Sequence, residues 1–190
     1  MRRNEFEITD QPEVSRFLGE NTAGVLSLVD KKNLPYCVPL NYVFFNNNIY
    51  FHCAHEGAKI DALTFCQNAQ FTVFREYSFI PSYAAGNRSS CSATAFFKSV
   101  SISGKVDPVE SIEEKALVMN SFMKSFQPEG GFAVLEPGTH HLKILEAVSV
   151  YRINAKKVSA KFKFGQQLKK EAWHMIIEML EKRGTPLDIE

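Results

Sequence analysis

Two apolar segments joined by three asparagines constrain the fold more than any other feature of this sequence. Residues 36–45 and 49–52 are rich in aromatic and β-branched side chains, which suit the half-buried surface of a sheet. The asparagines at 46–48 suit a hairpin turn, because asparagine tolerates positive φ. The sequence therefore predicts two antiparallel strands. Pro39, which has no N–H to donate to a ladder, predicts an edge strand or a bulge in the first of them.

The rest of the chain is also rich in strands, with helices between and after them. Further strands are predicted at residues 23–30, 70–77, 93–106 and 142–153, and helices at residues 12–19, 57–66, 111–126 and 169–182. Ser111 and Glu114 have the spacing of a helix capping box, and residues 78–93 are predicted to be a loop. Strands linked mostly by hairpins, without regular strand–helix alternation, predict a mainly β fold: an antiparallel barrel with appended helices.

Composition and charge exclude several classes of function. The 190 residues carry 22 basic and 21 acidic side chains, a net charge of +1, so we expect neither nucleic acid nor an anionic membrane as a partner. No apolar run approaches the roughly 20 residues that span a bilayer. The first residues lack the apolar core of a secretory signal. We therefore expect a cytoplasmic protein with reduced cysteines.

The sequence predicts neither a metal site nor a catalytic triad. The four cysteines, at positions 37, 53, 66 and 91, match no zinc spacing. His52 and Cys53 are consecutive on a strand, so their side chains point to opposite faces and cannot easily share a metal. No nucleophile motif such as G-x-S-x-G occurs. The pair His140-His141 is expected in a solvated loop.

The beginning of the helix at residues 57–66 is a candidate anion site. Gly57 would allow close backbone approach, and Lys59 would add a full charge to the unpaired N–H groups of the first turn. Lys98 interrupts the apolar strand at 93–106 and could meet the same anion. Each feature also has a simpler interpretation: a solvated lysine at a helix start, and the polar face of an amphipathic strand.

Three motifs in order resemble a known superfamily. They are Y-x-V-P-L-N at residues 36–41, F-H-x-A-x-x-G-x-K at 51–59 and F-K-S-V-S-I-S-G-K-V at 97–106. This order resembles the pyridoxamine-phosphate-oxidase-like, FMN-binding split-barrel superfamily, and within it the nitroimidazole-resistance proteins. The resemblance covers roughly residues 1–155.

The resemblance implies a six-stranded split barrel that forms a homodimer with flavin bound at the subunit interface. It places four residues of one strand along the isoalloxazine ring: Val38, Pro39, Leu40 and Asn41. It places His52, Ala54, Gly57 and Lys59 around the phosphate end, and takes Lys98, Ser99 and Val100 from the neighbouring strand. Lys98 stands where the family often has arginine, which keeps the charge but loses the two-pronged donor.

The activity that the resemblance implies is flavin-dependent reduction of a small electron-poor compound, such as a nitroimidazole or another nitroaromatic. FMN is the expected cofactor, with FAD as the alternative. Flavin N5 carries the hydride, so the protein need not supply a catalytic acid or base. The catalytic residues stay unassigned, although His52, or His55 if it faces inward, could donate a proton or orient a substrate.

Two other interpretations remain open. The first is a flavin- or haem-binding protein on the same barrel without reductase turnover, for which His140 and His141 are the residues of interest. The second is an unrelated barrel with no cofactor. In domain terms, residues 1–155 are predicted to form the FMN-binding barrel, and residues 156–190 a C-terminal helical extension packed on it.

Overall fold

The computed structural model describes residues 3–84, 86 and 89–189. The strands are β1 (Glu7–Ile8), β2 (Ala23–Val29), β3 (Pro35–Asn41), β4 (Val43–Phe45), β5 (Asn48–Cys53), β6 (Asn68–Ile80), β7 (Thr94–Pro108) and β8 (Ser149–Lys163). The helices are α1 (Gln11–Glu20), α2 (Ala58–Phe65), α3 (Ile112–Phe126), α4 (Leu142–Ala147), α5 (Lys170–Arg183) and α6 (Pro186–Ile189). Short 3-10 helices cover Asn4–Phe6 and Ser90–Ser92. Within these residues, no helix has the length and apolar character needed to cross a bilayer.

The strands form one sheet in the order β3-β2-β6-β7-β8-β5-β4, with β1 added beside β8. The pairs β1–β8, β2–β3, β2–β6, β4–β5 and β5–β8 are antiparallel. The sheet is not closed, since β3 and β4 end its strand order. The prediction of a mainly β, split-barrel fold with appended helices is confirmed. The position of β3 also confirms the edge strand inferred from Pro39.

The described sheet has eight strands rather than the expected six, partly because residues 36–45 divide at Tyr42. The Tyr42 backbone N–H donates to the carbonyl of Thr22 at 2.9 Å. Its side chain is fully buried, and its hydroxyl donates to the carbonyl of Leu18 at 2.7 Å. These bonds fix Tyr42 between β3, which pairs with β2, and β4, which pairs with β5.

The predicted strand at residues 142–153 is wrong in its first half. Residues 142–147 form α4, and the strand begins at Ser149 and continues to Lys163. Lys115 explains how the helix is stabilised, because its ammonium donates to the carbonyls of Leu145 at 3.2 Å and Val148 at 2.9 Å. A cation there satisfies carbonyls that the helix end leaves unpaired.

The loop predicted at residues 78–93 is shorter in the structure. Strand β6 continues to Ile80, and Ser90–Ser92 form a 3-10 turn before β7. Residues 85, 87 and 88 of the predicted loop lie outside the described residues. The capping box is confirmed in one direction, since the Ser111 hydroxyl accepts the N–H of Glu114 at 3.2 Å.

The chain divides into two compact units. The first comprises Met1–Asp10, Phe74–Val100 and Ser159–Glu190, and the second comprises Gln11–Val73 and Ser101–Val158. The core of the first unit includes Ile80, Ala84, Phe96, Ile176 and Leu180. The core of the second includes Val43, Tyr50, Val109, Val118, Phe122 and Val150. The division at residue 155 into a barrel and an extension stays a prediction.

Gly104, in the third motif, is required by close packing inside the second unit. A Cβ at this position would collide with the main-chain carbonyl of Asn154. Because the obstacle is backbone, it cannot move aside as a flexible side chain could. The glycine therefore keeps β7 and β8 at their observed separation.

A hydrogen-bonded carboxylate holds the C-terminal helix in the first unit. Asp188 of α6 is fully covered and accepts from the guanidinium of Arg183 at 2.5 and 2.7 Å. It also accepts from the hydroxyls of Ser78 at 2.5 Å and Thr185 at 2.6 Å. These donors favour the ionised form, so they hold the pKa of Asp188 well below its ordinary value, with Arg183 the largest cause.

We expect Asp188→Asn to lower the free energy of unfolding by on the order of 2 kcal/mol at neutral pH, because charge-assisted hydrogen bonds are lost. The folded pKa is lowered, so the stabilisation is present above the unfolded pKa of about 4 and is lost as pH falls toward the folded value. Denaturant unfolding at pH 7 and at pH 3 measures both effects. The difference between wild type and variant should shrink at pH 3, whereas the exposed Glu178→Gln should change little at either pH. A pH-independent difference would contradict this account.

Candidate functional site

The strand predicted to lie along a ligand ring is the exposed edge of the second unit. Val38 and Leu40 of β3 are half-buried, whereas Pro39 and Asn41 are exposed. Pro39 lies opposite Val25 of β2, and the Asn41 amide donates to the Thr22 carbonyl at 3.2 Å. The other edge of β3 has no strand partner among the described residues. The edge therefore offers backbone groups and apolar side chains to a ligand or to another chain.

The connection from β5 to α2 depends on a glycine conformation. Gly57 has a φ of +113°, in the region that residues with a Cβ rarely adopt. Its carbonyl accepts the N–H groups of Ile60 at 2.9 Å and Asp61 at 3.0 Å. No side chain caps α2 at Gly57, and a Cβ there would meet no atom within 4 Å. The helix thus begins with an uncapped N-terminus facing open space, as an anion site requires.

Lys59 folds back from the first turn of α2 toward the end of β5. Its ammonium lies 5.6 Å from the centre of the Phe51 ring, within reach of a cation–π interaction. Phe51 is fully buried and stacks on Tyr151 with 5.4 Å between ring centres. Burial raises the pKa of the neighbouring Cys53 thiol, and the charge of Lys59 partly opposes that rise. The second motif therefore places a cation, Lys59, and a thiol, Cys53, close to the aromatic pair of Phe51 and Tyr151.

His52 lies at the same strand end with its ring accessible to solvent. The ring meets Phe122 of α3 edge-on, with 5.0 Å between the centres. Partial burial lowers the pKa of His52, and the charge of Lys59 lowers it further. The imidazole is therefore neutral at physiological pH and can either accept or donate a hydrogen bond. Ala54 follows it as an exposed residue of the turn.

His55 has both ring nitrogens occupied within the protein. One nitrogen, Nε2, lies 2.5 Å from the carbonyl of Ala147, and the other, Nδ1, lies 2.7 Å from the Ser149 hydroxyl. A carbonyl only accepts, so Nε2 carries the proton and the serine donates to Nδ1. His55 therefore ties the β5–α2 turn to the start of β8, and neither nitrogen is left for a substrate.

A polar network that the sequence did not reveal lies next to His52 on β5. The Tyr50 hydroxyl donates to the Glu114 carboxylate at 2.8 Å, and Arg152 donates to the same oxygen at 3.0 Å. Burial, and then Glu114, raise the pKa of Tyr50. The Arg152 Nε is buried without a hydrogen-bond partner among the described residues. Tyr50 lies opposite Arg152 on the neighbouring strand, and this pairing would have indicated the network. It could not be predicted without knowing the register of β5 on β8.

The third predicted segment, Lys98 to Val100, belongs to the first unit. The Lys98 ammonium lies over three aromatic rings: Phe162 at 4.8 Å, Tyr77 at 5.4 Å and Phe164 at 5.8 Å. Val100 is fully buried, so its side chain is unavailable to a ligand, while Ser99 is half-buried. Contacts with aromatic rings thus stabilise the charge of Lys98. That Lys98 binds a phosphate stays a prediction.

His140 and His141 lie in the loop before α4, with 3.9 Å between their ring centres. His141 Nδ1 lies 3.1 Å from the Thr139 hydroxyl, whereas His140 is exposed. Across the part of the chain that is described, no group of three or more histidine, cysteine or acidic side chains could hold a metal ion. Two adjacent rings alone define no coordination site.

Within the second unit, the structure brings His52 and Lys59, two of the residues predicted for the phosphate end, close together. Besides burial, the charge of Lys59 lowers the pKa of His52, and it opposes the rise that burial causes in the pKa of the neighbouring Cys53. Helix α2 packs against β2 and β3. Chemically, this arrangement can hold an anion at the α2 N-terminus beside an exposed sheet edge. It contains no nucleophile activated by a base.

Three solved structures resemble the chain in fold. A candidate 5-nitroimidazole antibiotic resistance protein from Bacteroides thetaiotaomicron matches with a TM-score of 0.64 and 22% identity, over 82% of this chain and 85% of that one. The FAD and haem binding protein from Mycobacterium smegmatis matches with a TM-score of 0.68 and 18% identity, over 84% and 74%. The flavocytochrome Anf3 from Azotobacter vinelandii matches with a TM-score of 0.68 and 20% identity, over 92% and 77%.

Sequence comparison assigns the family. No curated protein matches the chain. The family model described as pyridoxamine 5'-phosphate oxidase matches residues 10–162, which include all three motifs and the whole of the candidate site. The uncapped helix, the exposed edge strand and the split-barrel sheet thus occur together in a chain that belongs to the pyridoxamine 5'-phosphate oxidase family.

Proposed function

We propose that the protein is a flavin-binding oxidoreductase that reduces small electron-poor compounds, such as a nitroimidazole or another nitroaromatic. The observation that carries the proposal is the uncapped N-terminus of α2 with Lys59 beside it. A helix N-terminus and a lysine together suit a phosphate group. Family membership and the fold shared with proteins named for flavin binding and for nitroimidazole resistance support the proposal.

The residues present fit a flavin. Gly57 leaves open space where a side chain would otherwise stand, and no carboxylate caps α2 at that end. The edge strand β3 exposes backbone and apolar surface that could lie along an aromatic ring. The residues of the second unit proposed to hold the cofactor are Val38, Pro39, Leu40, Asn41, His52, Ala54, Gly57 and Lys59. The part that the resemblance gives to Lys98, Ser99 and Val100 of the first unit stays a prediction, and the buried side chain of Val100 is not proposed to contact the cofactor. We propose FMN, because the α2 terminus supplies one phosphate site, and keep FAD as the alternative.

The protein's own residues bind and orient rather than perform proton chemistry. A bound flavin supplies hydride transfer from N5. Lys59 and the α2 N–H groups would hold the phosphate, and β3 would fix the orientation of the ring. His52, neutral and accessible, is proposed to hold a hydrogen bond to the substrate or cofactor. His55 is not assigned this role, because Ala147 and Ser149 occupy its ring.

We further propose a cytoplasmic homodimer with the flavin at the subunit interface. Strand β3 has one edge with no strand partner in the described part of the chain, and Leu34, the residue before it, is 55% exposed. A second copy would cover this apolar surface. All four cysteines are free, as expected in a reducing compartment.

A second candidate function is flavin or haem binding without reductase turnover. The fold shared with proteins named for FAD and haem binding and as a flavocytochrome favours it, and the exposed His140 beside His141 would be the axial ligand to test. The identity of a cofactor that copurifies with the protein would separate the two functions.

Replacing Lys59 with alanine should weaken FMN binding by about tenfold, because one charge-assisted contact to phosphate is lost. Titration of the protein into FMN, followed by flavin fluorescence, measures the dissociation constant. Lys59→Arg, which keeps the charge, should retain most of the affinity. The exposed turn variant Lys31→Ala should bind as the wild type does. Unchanged affinity in Lys59→Ala would remove this lysine from the site.

The reductase proposal predicts that the FMN-loaded protein, reduced anaerobically, transfers electrons to a 5-nitroimidazole faster than free reduced FMN does. Two electrons and two protons convert the nitro group to a nitroso group and water. Stopped-flow recording of the returning oxidised-flavin absorbance measures the rate, and 2-methylimidazole, which lacks the nitro group, is the control. A rate no greater than that of free reduced FMN would contradict turnover and favour the binding-only function.

A further inference from the structure

A second cleft lies entirely within the first unit, among residues that the flavin proposal does not use. Its volume is about 420 Å³. It is lined by Arg3, by residues 80–82 at the end of β6, by residues 91–94 before and at the start of β7, by Lys163 at the end of β8 and by residues 167–168 before α5. Strand ends and loops therefore converge on it, as they do on many ligand sites.

The polar lining of this cleft is cationic and rich in hydrogen-bond donors. Arg3 and Lys163 supply the two charges, and Ser82, Ser92 and Thr94 supply hydroxyl groups. Gln167 adds an amide. None of the described residues that line the cleft carries a carboxylate. The lining therefore has donors for several oxygens of one anion and no group that would repel it.

The cations in and beside the cleft repel one another. Lys163 is half-buried, and its ammonium donates to the Thr94 hydroxyl. Burial lowers the pKa of Lys163, and the charges of Lys161 and Arg3 lower it further. Glu5 neutralises part of this charge by accepting from the Arg3 Nε at 2.8 Å, and the Arg3 guanidinium lies over the Phe6 ring at 4.6 Å from its centre. An anion between Arg3 and Lys163 would relieve the repulsion.

The floor of the cleft is apolar. Ile80, Phe96 and Ile176 line it and belong to the core of the first unit. Leu168 adds a further aliphatic side chain. A ligand that fits both parts therefore has an anionic group at one end and an apolar or aromatic body at the other.

We propose that this cleft binds a small phosphate ester, with its phosphate held between Arg3 and Lys163 and its organic body on the apolar floor. Phosphate suits the site better than a carboxylate, because it offers more oxygens to two cations and three hydroxyls. The cleft and the proposed flavin site have no residue in common. The inference therefore does not rest on the proposed function.

The test is a proton–nitrogen NMR titration of the full-length protein, as purified, with inorganic phosphate and with phenyl phosphate at constant ionic strength. Saturable shifts are expected at the amides of residues 92–94. Phenyl phosphate should bind at least fivefold more tightly than inorganic phosphate, because only the ester covers the apolar floor. These amides belong to the first unit and Lys59 to the second. Their shifts therefore distinguish binding in the cleft from phosphate binding near Lys59, and the test does not depend on the proposed flavin site.

Variants distinguish specific phosphate binding in the cleft from general electrostatic attraction of phosphate to the protein. Lys163→Gln and Arg3→Gln should each weaken binding about tenfold, whereas Lys163→Arg should retain it. Lys157→Gln, which removes an exposed charge from the same strand, should bind within twofold of wild type. Thermal melting verifies that each variant is folded, and the exposed position of Arg3 keeps the test valid if a change at Lys163 disturbs the fold. No saturable shift, an equal loss in Lys157→Gln, or equal affinity for the two phosphates would overturn the proposal.

Discussion

The chain reversal at Gly57 is the constraint on which the candidate site depends. A φ of +113° at Gly57 lets the chain pass from the turn after β5 directly into α2, without a side chain at the N-cap. Because glycine has no side chain, nothing caps α2 at this position. The Lys59 ammonium, in the first turn of α2, lies over the ring of Phe51 in β5. Any residue with a Cβ at position 57 would strain this turn. The anion site proposed at the second motif therefore depends first on backbone conformation and second on charge.

The residues around this turn are fixed by hydrogen bonds to distant segments. The two ring nitrogens of His55 form hydrogen bonds with Ala147 and Ser149. These bonds connect the β5–α2 turn to the junction between α4 and β8. Lys115 of α3 donates hydrogen bonds to the carbonyls of Leu145 and Val148 at the same junction. These bonds make the positions of His52 and Lys59 part of the packed second unit. The flavin site that we propose, which would orient a ring without proton chemistry, needs this kind of rigidity.

Much of the fold could be predicted from local pattern, because alternation of apolar residues and turn chemistry are local signals. Pro39 indicated the edge strand, and Ser111 indicated the helix cap. The division at Tyr42 and the helix at residues 142–147 could not be predicted, since each is stabilised by contacts from remote segments. The same reason hid the network of Tyr50, Glu114 and Arg152, which only strand register brings together. The closeness of His52 and Lys59 could be predicted because one continuous motif contains both, whereas their role at a phosphate stays a prediction.

We propose above all that this protein, a member of the pyridoxamine 5'-phosphate oxidase family, binds a flavin. The most direct test is the visible absorption spectrum of the purified protein, followed by chromatography of the cofactor released on denaturation. We expect the two absorption bands of an oxidised flavin and the release of FMN. A colourless protein that takes up no added flavin, or a Soret band without flavin, would contradict the proposal.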